Sequence, residues 1–490
     1  MEETVPAMPP SRARGLVLGC ALLLTSVLQA DAGDLDREIG RILSTRGRDK
    51  ARVGIEVVAT DSARIVHSER PMEKFIVASN EKLVTAATAL TVLGSGYRFV
   101  SSAHLDGAVE NGRLRGDLVI RGGADPTIGG RYDEVDAITV FRSWAGQLQQ
   151  RGIREITGDL VADDRYLDRE WYHPNWAPEQ AWKWYFAPVS ALSTNDNCVT
   201  VTVKPGGAPG TPARLAVAPP VAPVELVNAC TTSSRRHAIW FDRTAGSLQT
   251  KVGGFVRTGS AGYSHEVSVP NPPLYAALTL REVLNEEGVR VRGEARLIRP
   301  DETYGGESVI LRRTELLPVL RRMVKRSHNH YAEQVLKTIG AETRGDGSWR
   351  GGLRRAADLL VELGFRRGEF ELDDGSGLSS GNRLPPAVLT ALLLRMRHSP
   401  HNETFRSLLA VAGQDGTLRR RLREAPYAGN VRAKTGYLSG AGALSGYATT
   451  RSGTEIAFSI LVNDDHNPPG TYSMRETVDS ICRAIVDHAR

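Results

Sequence analysis

Residues 79–93 read SNEKLVTAATALTVL, and apolar residues recur from Leu83 to Leu90 at the spacing of one helical face. This pattern predicts a helix that begins at Ser79. Positions i and i+3 share a face of a helix, so the Lys82 amine is expected beside the Ser79 hydroxyl. A partly neutral lysine can take the hydroxyl proton as the serine attacks a carbonyl, and a serine at a helix start can use its own N–H to bind an oxyanion. A capping serine with a solvated lysine has the same spacing, so this motif alone is a weak signal.

A second polar motif, Ser327-His328-Asn329, stands between two predicted helical segments. Serine and asparagine are favoured at helix N-caps, which is the simplest structural explanation for the motif. His328 and His330 are close in sequence but have no third ligand nearby, which argues against a metal site. By itself this motif does not indicate a function, and its position relative to the other two motifs is the informative feature.

A third motif, Lys434-Thr435-Gly436, ends a predicted strand. A strand edge beside an active site can bind an extended peptide by main-chain pairing. Lys434 and Thr435 can bind a carboxylate there, and Gly436 removes a side chain where a substrate must come close. A strand that runs into an ordinary turn is the alternative explanation.

The order Ser-x-x-Lys, Ser-x-Asn, Lys-Thr-Gly is the signature of penicillin-interacting serine enzymes. The chain resembles the class C low-molecular-mass penicillin-binding proteins, which are D-alanyl-D-alanine carboxypeptidases and endopeptidases. The likeness runs from about Val53 to the C-terminus and includes the wide gap between Ser79 and Ser327 (327 − 79 = 248 positions). It implies an α/β, transpeptidase-like (β-lactamase-like) catalytic domain, with an antiparallel sheet flanked by helices and a β-rich inserted region. Other stretches that share the likeness are 122–126, 158–164, 187–192, 374–379 and 415–418.

The resemblance also implies a role for each residue of the three motifs. Ser79 looks like the acylated nucleophile, Lys82 like its base, and Ser327 like a proton relay toward the leaving amine. The substrate-binding residues that it implies are Asn329 for a backbone amide, Lys434 and Thr435 for a carboxylate, Gly436 beside them, Tyr437 with Ser79 for an oxyanion hole, and Asp163 for the side-chain amine of the stem peptide. Ser380 stands where the family often has an arginine near the pocket for the diamino-acid side chain.

The chain is long for one domain. We divide it into a signal peptide (1–32), a catalytic domain in two segments (33–99 and 271–490) and a β-rich insertion (100–270). Short alternating runs predict strands in the insertion, among them Leu118–Arg121, Asp159–Ala162 and Val199–Val203. Outside it, strands are predicted at Val53–Ala59, Arg64–His67, Val431–Lys434, Ala443–Thr449 and Glu455–Val462. Besides Ser79–Leu93, helical periodicity predicts helices at Asp34–Leu43, Leu274–Glu287, Glu315–Ser327, Tyr331–Ile339, Trp349–Gly364, Pro386–His398 and Met474–His488.

The N-terminus has the pattern of a secretory signal. Arg12 and Arg14 precede an apolar run from Gly15 to Leu28, and Ala30-Asp31-Ala32 follows as a small-x-small cleavage site. The apolar run is short for a membrane span. We therefore predict cleavage after Ala32, export to the periplasmic or extracellular cell-wall space, and at most peripheral contact with a membrane.

Composition excludes some classes of function. The formal net charge is +6, and no lysine/arginine run with interleaved aromatics indicates nucleic-acid binding. Residues 440–446 are Gly-rich but predict a hairpin, because they do not open a helix after a strand. We expect neither a metal nor an organic cofactor. A Cys198–Cys230 disulfide stays open, whereas Cys482 is expected to be a buried free thiol on a helical stripe.

The sequence thus predicts a serine enzyme that cleaves D-Ala-containing peptides of peptidoglycan through an acyl-enzyme and is covalently inhibited by β-lactam antibiotics. A β-lactamase would share the motifs, but no clear deacylating glutamate is present and the large insertion argues against it. A non-catalytic wall-binding protein would not need an activated serine. Carboxypeptidase or endopeptidase action, the diamino acid of the stem peptide and the oligomeric state stay open.

Overall fold

The computed structural model describes residues 33–44, 51–130, 136–220, 223–464 and 473–489, so the predicted signal peptide lies outside the described residues. Within these ranges no helix is long and apolar enough to cross a membrane. The α-helices are α1 (Gly33–Leu43), α2 (Glu81–Val92), α3 (Ala137–Gln150), α4 (Pro272–Glu286), α5 (Leu316–Lys325), α6 (Asn329–Arg344), α7 (Trp349–Glu362), α8 (Pro386–Arg397), α9 (Asn402–Leu408) and α10 (Met474–His488). Each helix predicted from the sequence is present, and α3 and α9 are additional.

The strands include those predicted from the sequence. They are β1 (Arg52–Ala59), β2 (Ile65–Glu69), β3 (Phe75–Ile76), β4 (Arg98–Glu110), β5 (Arg113–Arg121), β6 (Glu155–Ile156), β7 (Leu160–Asp163), β8 (Cys198–Lys204), β9 (Arg214–Ala218), β10 (Glu225–Ser233), β11 (Ala238–Asp242), β12 (Gln249–Arg257), β13 (Tyr263–Ser268), β14 (Arg290–Val291), β15 (Ala295–Leu297), β16 (Glu307–Glu315), β17 (Arg383–Leu384), β18 (Ala410–Val411), β19 (Arg432–Leu438), β20 (Ala441–Thr449) and β21 (Glu455–Asn463).

The central sheet has six strands in the order β18-β19-β20-β21-β1-β2, and all of its pairs are antiparallel. Strands from the two ends of the chain therefore meet, because β1 pairs with β21 along its whole length. The predicted antiparallel pairing of the C-terminal strands is confirmed. The Gly-rich residues near 440 form the β19–β20 hairpin.

Both faces of the central sheet are buried, and strand alternation divides them. Along β21, Ala457 and Leu461 face one hydrophobic core together with residues of α2, α5, α6, α7 and α8. Phe458 and Ile460 face the opposite core, which also contains residues of α1 and α10. This layering explains why β21 reads as an almost continuous apolar run.

The region between α2 and α5 forms separate sheets. The largest has β14-β6-β5-β4-β16 as its main order, with β7 and β15 attached, and α3 and α4 share its core. The smaller sheets are β10-β12-β11 and β13-β8-β9. The boundary of the insertion at 270 stays a prediction, and the sheet itself continues beyond it, because β16 pairs with β4 as far as Glu315.

Two local features of this region refine the sequence analysis. Helix α3 begins after Asp136, whose carboxylate accepts a hydrogen bond from the Thr139 N–H, and it buries Phe141 and Trp144. Cys198 and Cys230 are both buried, and no disulfide joins them. Cys482 is also a free buried thiol in α10, as predicted.

Candidate active site

Ser79 lies in a tight turn immediately before α2, rather than in the α-helix itself. The turn is a 3₁₀ segment from Ala78 to Asn80, and Ala78 has a φ of 46°, a left-handed conformation that is rare for a residue with a Cβ. Gly377 packs against this turn with a φ of 74°. A Cβ at Gly377 would stand 1.8 Å from the Ala78 carbonyl oxygen, so only glycine fits there.

Lys82, one turn later, is wholly buried. Its amine donates hydrogen bonds to Ser79 Oγ at 3.0 Å, to Asn329 Oδ1 at 2.8 Å and to the Ser376 carbonyl at 2.6 Å. Burial lowers the pKa of Lys82 to about 8, although the nearby carboxyl groups of Asp374 and Glu333 act in the opposite direction. A neutral form of the amine is therefore accessible near neutral pH, in hydrogen-bond contact with the Ser79 hydroxyl.

Buried carboxyl groups hold the turn that contains Ser376. Glu333 accepts hydrogen bonds from the Gly375 N–H at 2.9 Å and the Trp349 indole at 2.8 Å. Asp374 accepts from the Gly377 N–H at 2.6 Å and is itself wholly buried. Desolvation, together with the neighbouring charge of Asp374, raises the pKa of Glu333 to about 8. These acids orient the Ser376 carbonyl toward Lys82. Asp374 falls in the stretch 374–379, which the resemblance singled out without a role, whereas Glu333 carries no signal in the sequence.

The second motif connects the other two. Ser327, between α5 and α6, has a φ of 58°, and its hydroxyl accepts a hydrogen bond from Lys434 Nζ at 2.9 Å. Asn329 begins α6, so its side chain can bind Lys82 through the amide oxygen and donate to the Tyr185 carbonyl at 3.0 Å. His328 is buried and lies 3.2 Å from Asp196. Within the part of the chain that the structure describes, no group of three His, Cys, Asp or Glu residues could hold a metal.

The third motif lies on β19 beside the nucleophile turn. A Cβ at Gly436 would stand 2.7 Å from the Val77 carbonyl oxygen, so glycine allows the strand to pass this closely. Lys434 is wholly buried and also donates to the Thr435 carbonyl at 2.6 Å. Burial lowers the pKa of Lys434 well below its usual range, and the positive charge of Lys82 lowers it further. Thr435 Oγ1 donates to Thr417 Oγ1 at 2.9 Å.

These motif residues meet at one open cavity of about 1120 Å³. Ser79, Ser327, Thr435, Gly436 and Tyr437 line it, and the Tyr437 side chain is 65% exposed. Lys82 and Lys434 contact the lining residues Ser79 and Ser327 from behind, and Asn329 binds Lys82. The structure therefore brings together every predicted residue of the three motifs.

Asp163 is the predicted site residue that does not join this group. It ends β7 in the inserted region, where its carboxylate accepts hydrogen bonds from Arg165 Nε at 2.8 Å and from the Tyr304 hydroxyl at 3.0 Å. Burial raises its pKa, but these hydrogen bonds outweigh burial and lower the pKa below the usual value. Asp163 is not among the lining residues of the cavity, since Arg165 and Tyr304 hold it elsewhere.

Some residues at the site carry no motif signal. Trp184, Thr417 and several arginines from two segments, 419–423 and 475–483, line the same cavity. Of these, Thr417 falls in the stretch 415–418, which the resemblance had singled out without a role. The arginines are not noticeable in sequence because the two segments come together only in the fold.

Comparison with known proteins agrees with this geometry. The sequence model of the family described as D-Ala-D-Ala carboxypeptidase 3 (S13) matches residues 35–484. The D-alanyl-D-alanine carboxypeptidase of Actinomadura sp. (strain R39) is 32% identical, over 97% of this chain and 88% of that protein. The D-alanyl-D-alanine carboxypeptidase DacB of Haemophilus influenzae is 26% identical, over 79% of this chain and 80% of its own length.

Solved structures show the same fold. The crystal structure of penicillin binding protein 4 (dacB) from Haemophilus influenzae superposes with a TM-score of 0.80 at 22% identity, covering 91% of this chain and 98% of that chain. The same protein complexed with a β-lactam superposes with a TM-score of 0.75. The predicted fold class is therefore confirmed.

Proposed function

The chain belongs to the D-Ala-D-Ala carboxypeptidase 3 (S13) family of serine peptidases, and from this premise we propose that Ser79 is the residue acylated by D-Ala-containing stem peptides of peptidoglycan. One observation carries the proposal. A wholly buried lysine, Lys82, donates a hydrogen bond of 3.0 Å to Ser79 Oγ, and burial lowers the pKa of that lysine. A nucleophile with an adjacent base of lowered pKa is the arrangement that acyl transfer requires.

The reaction begins when neutral Lys82 takes the Ser79 proton and Oγ attacks the D-Ala carbonyl. The oxyanion of the tetrahedral intermediate accepts hydrogen bonds from the backbone N–H groups of Ser79 and Tyr437. The proton held on Lys82 reaches the leaving amine through the Ser327 hydroxyl, the peptide C–N bond breaks, and an ester to Ser79 remains. Water then hydrolyses this ester and regenerates the serine.

Substrate recognition uses the strand edge. The Thr435 hydroxyl, which lines the cavity, binds the carboxylate of the leaving residue. Lys434 lies behind Thr435, and although burial lowers the pKa of Lys434, the negative charge of a bound carboxylate favours its protonated form. Asn329 receives the backbone amide of the substrate. Gly436 keeps the strand edge open, since a side chain there would meet the Val77 carbonyl.

The same acylation accounts for inhibition by β-lactams, which present a strained amide to Ser79. We also propose that the enzyme works outside the cytoplasm, in the cell-wall space. The support is the predicted signal sequence with cleavage after Ala32 and the cell-wall substrate class of the family.

Labelling with fluorescent penicillin tests this function. The mature protein should form a covalent adduct, and mass spectrometry should locate it on Ser79. Ser79→Ala should abolish labelling, while Ser62→Ala, at an exposed turn that does not line the cavity, should label normally. An adduct on a different serine would contradict the assignment.

The lifetime of the adduct separates the peptidase from a β-lactamase. A peptidase should hold the penicilloyl ester long enough for isolation, whereas a β-lactamase would release it quickly and turn over the drug. Rapid turnover with poor cleavage of D-Ala-D-Ala peptides would overturn the proposed substrate class.

A further inference from the structure

The cavity contains an excess of arginine outside the catalytic motifs. Arg419, Arg420, Arg423 and Arg475 line it and are exposed. None of the four forms an ion pair with a carboxylate within the described ranges, although Arg475 lies over the Tyr437 ring at 5.9 Å. Guanidinium groups left without a carboxylate at the wall of a substrate cavity are ready to bind anionic ligand groups.

The other charges of this wall are largely neutralised. Arg421 forms an ion pair of 2.6 Å with Asp479, and Arg483 one of 2.7 Å with Glu424. Glu476 is the one acidic residue of the lining that is left without an ion pair within the described residues. Four unpaired arginines therefore face one unpaired carboxylate, and the wall as a whole is positive.

The position of the arginines relates them to the leaving group. The Thr435 hydroxyl donates a hydrogen bond of 2.9 Å to the Thr417 hydroxyl. After Thr417 the chain continues through one residue into Arg419 and Arg420. Because Thr435 is proposed to bind the carboxylate of the leaving residue, the segment that follows Thr417 begins beside that carboxylate. The cavity, at about 1120 Å³, also exceeds the roughly 300–1,000 Å³ of ordinary ligand pockets.

We propose that Arg419, Arg420, Arg423 and Arg475 form a subsite that binds carboxylates of the second stem peptide in a cross-linked pair, the strand that leaves when the cross-link is cut. The inference rests on the proposed function. When this enzyme acts as an endopeptidase, the subsite gives it a preference for cross-linked substrates whose leaving strand keeps its free carboxylates. A terminal D-Ala leaving alone has no further carboxylate with which to reach these arginines.

The test uses two forms of one cross-linked peptide dimer. In one form the leaving peptide keeps its carboxylates, and in the other they are amidated, except for the carboxylate next to the scissile bond. The wild-type enzyme should cleave the acid form with a kcat/KM about tenfold or more above the amidated form, mainly through KM, because charge-assisted hydrogen bonds form in the ground state as well. Added salt should reduce this ratio, since exposed charges are screened.

The subsite variant is Arg419→Gln/Arg420→Gln/Arg423→Gln, in which the acid-to-amide ratio should fall to near one. A matched control, Arg235→Gln/Arg354→Gln/Arg395→Gln, removes three exposed arginines that do not line the cavity and should keep the wild-type ratio. A ratio near one in the wild type, or an equal loss in both triple variants, would overturn the subsite.

Two further outcomes are distinguishable. A wild-type enzyme that cleaves neither dimer nor linear D-Ala-D-Ala peptide would contradict the proposed function itself. In the other outcome, poly(glycerol phosphate) inhibits the wild type but not the subsite variant, and the acid-to-amide ratio of the wild type is near one. That result would overturn the peptide subsite and assign the arginines to binding of an anionic wall polymer.

Discussion

Positive charge stands on both sides of Ser79, but in opposite physical settings. On one side Lys82 is wholly buried, donates to three oxygen atoms and lies near the carboxyl groups of Glu333 and Asp374. On the other side Arg419 and Arg420 are exposed and lack carboxylate partners among the described residues. Burial lowers the pKa of the lysine, whereas the side chains of the two arginines lie in solvent.

This difference indicates that the buried lysine and the exposed arginines have different roles. A dry, hydrogen-bonded lysine is held in one geometry and can exchange a proton with the nucleophile, which changes rates. Exposed arginines are screened by salt and move freely, so they contribute to recognition of anionic groups and little to bond breaking. The predictions below test whether the two sides separate in this way.

The largest effect is expected for Lys82→Met, which keeps the length of the side chain and removes the amine. Loss of general-base assistance is worth roughly 10²–10⁴-fold, so penicillin acylation should slow by at least that range. Stopped-flow acylation of the folded variant measures it. Lys337→Met is the matched control, because Lys337 is also wholly buried but pairs with Asp168 away from the cavity. Similar slowing in both variants would contradict a specific role for Lys82.

The pH dependence should show the lowered pKa of Lys82. The neutral amine is the reactive form, so the acylation rate should rise with pH and level off above about pH 8, the pKa of the buried lysine. At about pH 6 the neutral fraction is roughly 1%, so the rate should be about 100-fold below its plateau. A rate that is flat between these pH values would exclude Lys82 as the titrating base.

Lys434→Ala should affect recognition of the leaving carboxylate. A charge-assisted hydrogen bond is worth about 1.5–3 kcal/mol, which corresponds to a loss of about 10- to 100-fold in kcat/KM for a D-Ala-D-Ala peptide. A substrate whose terminal carboxylate is amidated should be poor for the wild type and nearly indifferent to the mutation. If both substrates slow by the same factor, Lys434 acts through general electrostatics instead.

The smallest effect on activity is expected for Asp163→Asn. Because Asp163 pairs with Arg165 in the inserted region, its loss should change stability rather than kcat/KM, costing about 1–3 kcal/mol of unfolding free energy. The folded pKa of Asp163 is lowered, so this contribution is present above the unfolded pKa and should vanish as pH falls through the folded pKa. A tenfold loss of kcat/KM with unchanged stability would restore Asp163 to the substrate site.

The features that depend on residues close together in the sequence could be predicted from the sequence alone. The spacing of Ser79 and Lys82 is enough to bring hydroxyl and amine together, since a helical turn joins them. The helices and the C-terminal strands also follow from local periodicity. Local periodicity could not predict the pairing of β16 with β4, because the two strands lie more than 190 positions apart in the chain.

The sequence by itself singled out the side chains that we propose carry the chemistry, namely a serine, its lysine, a second serine with an asparagine, and a lysine and threonine beside a glycine. Only the tertiary structure decided how each of them behaves. It buried Lys82 near the carboxyl groups of Glu333 and Asp374 and paired Asp163 with Arg165. It also brought the arginines of two distant segments to one wall of the active-site cavity. The physical reason is that burial and charge pairing depend on which segments pack together, and that packing joins residues that are far apart in the chain.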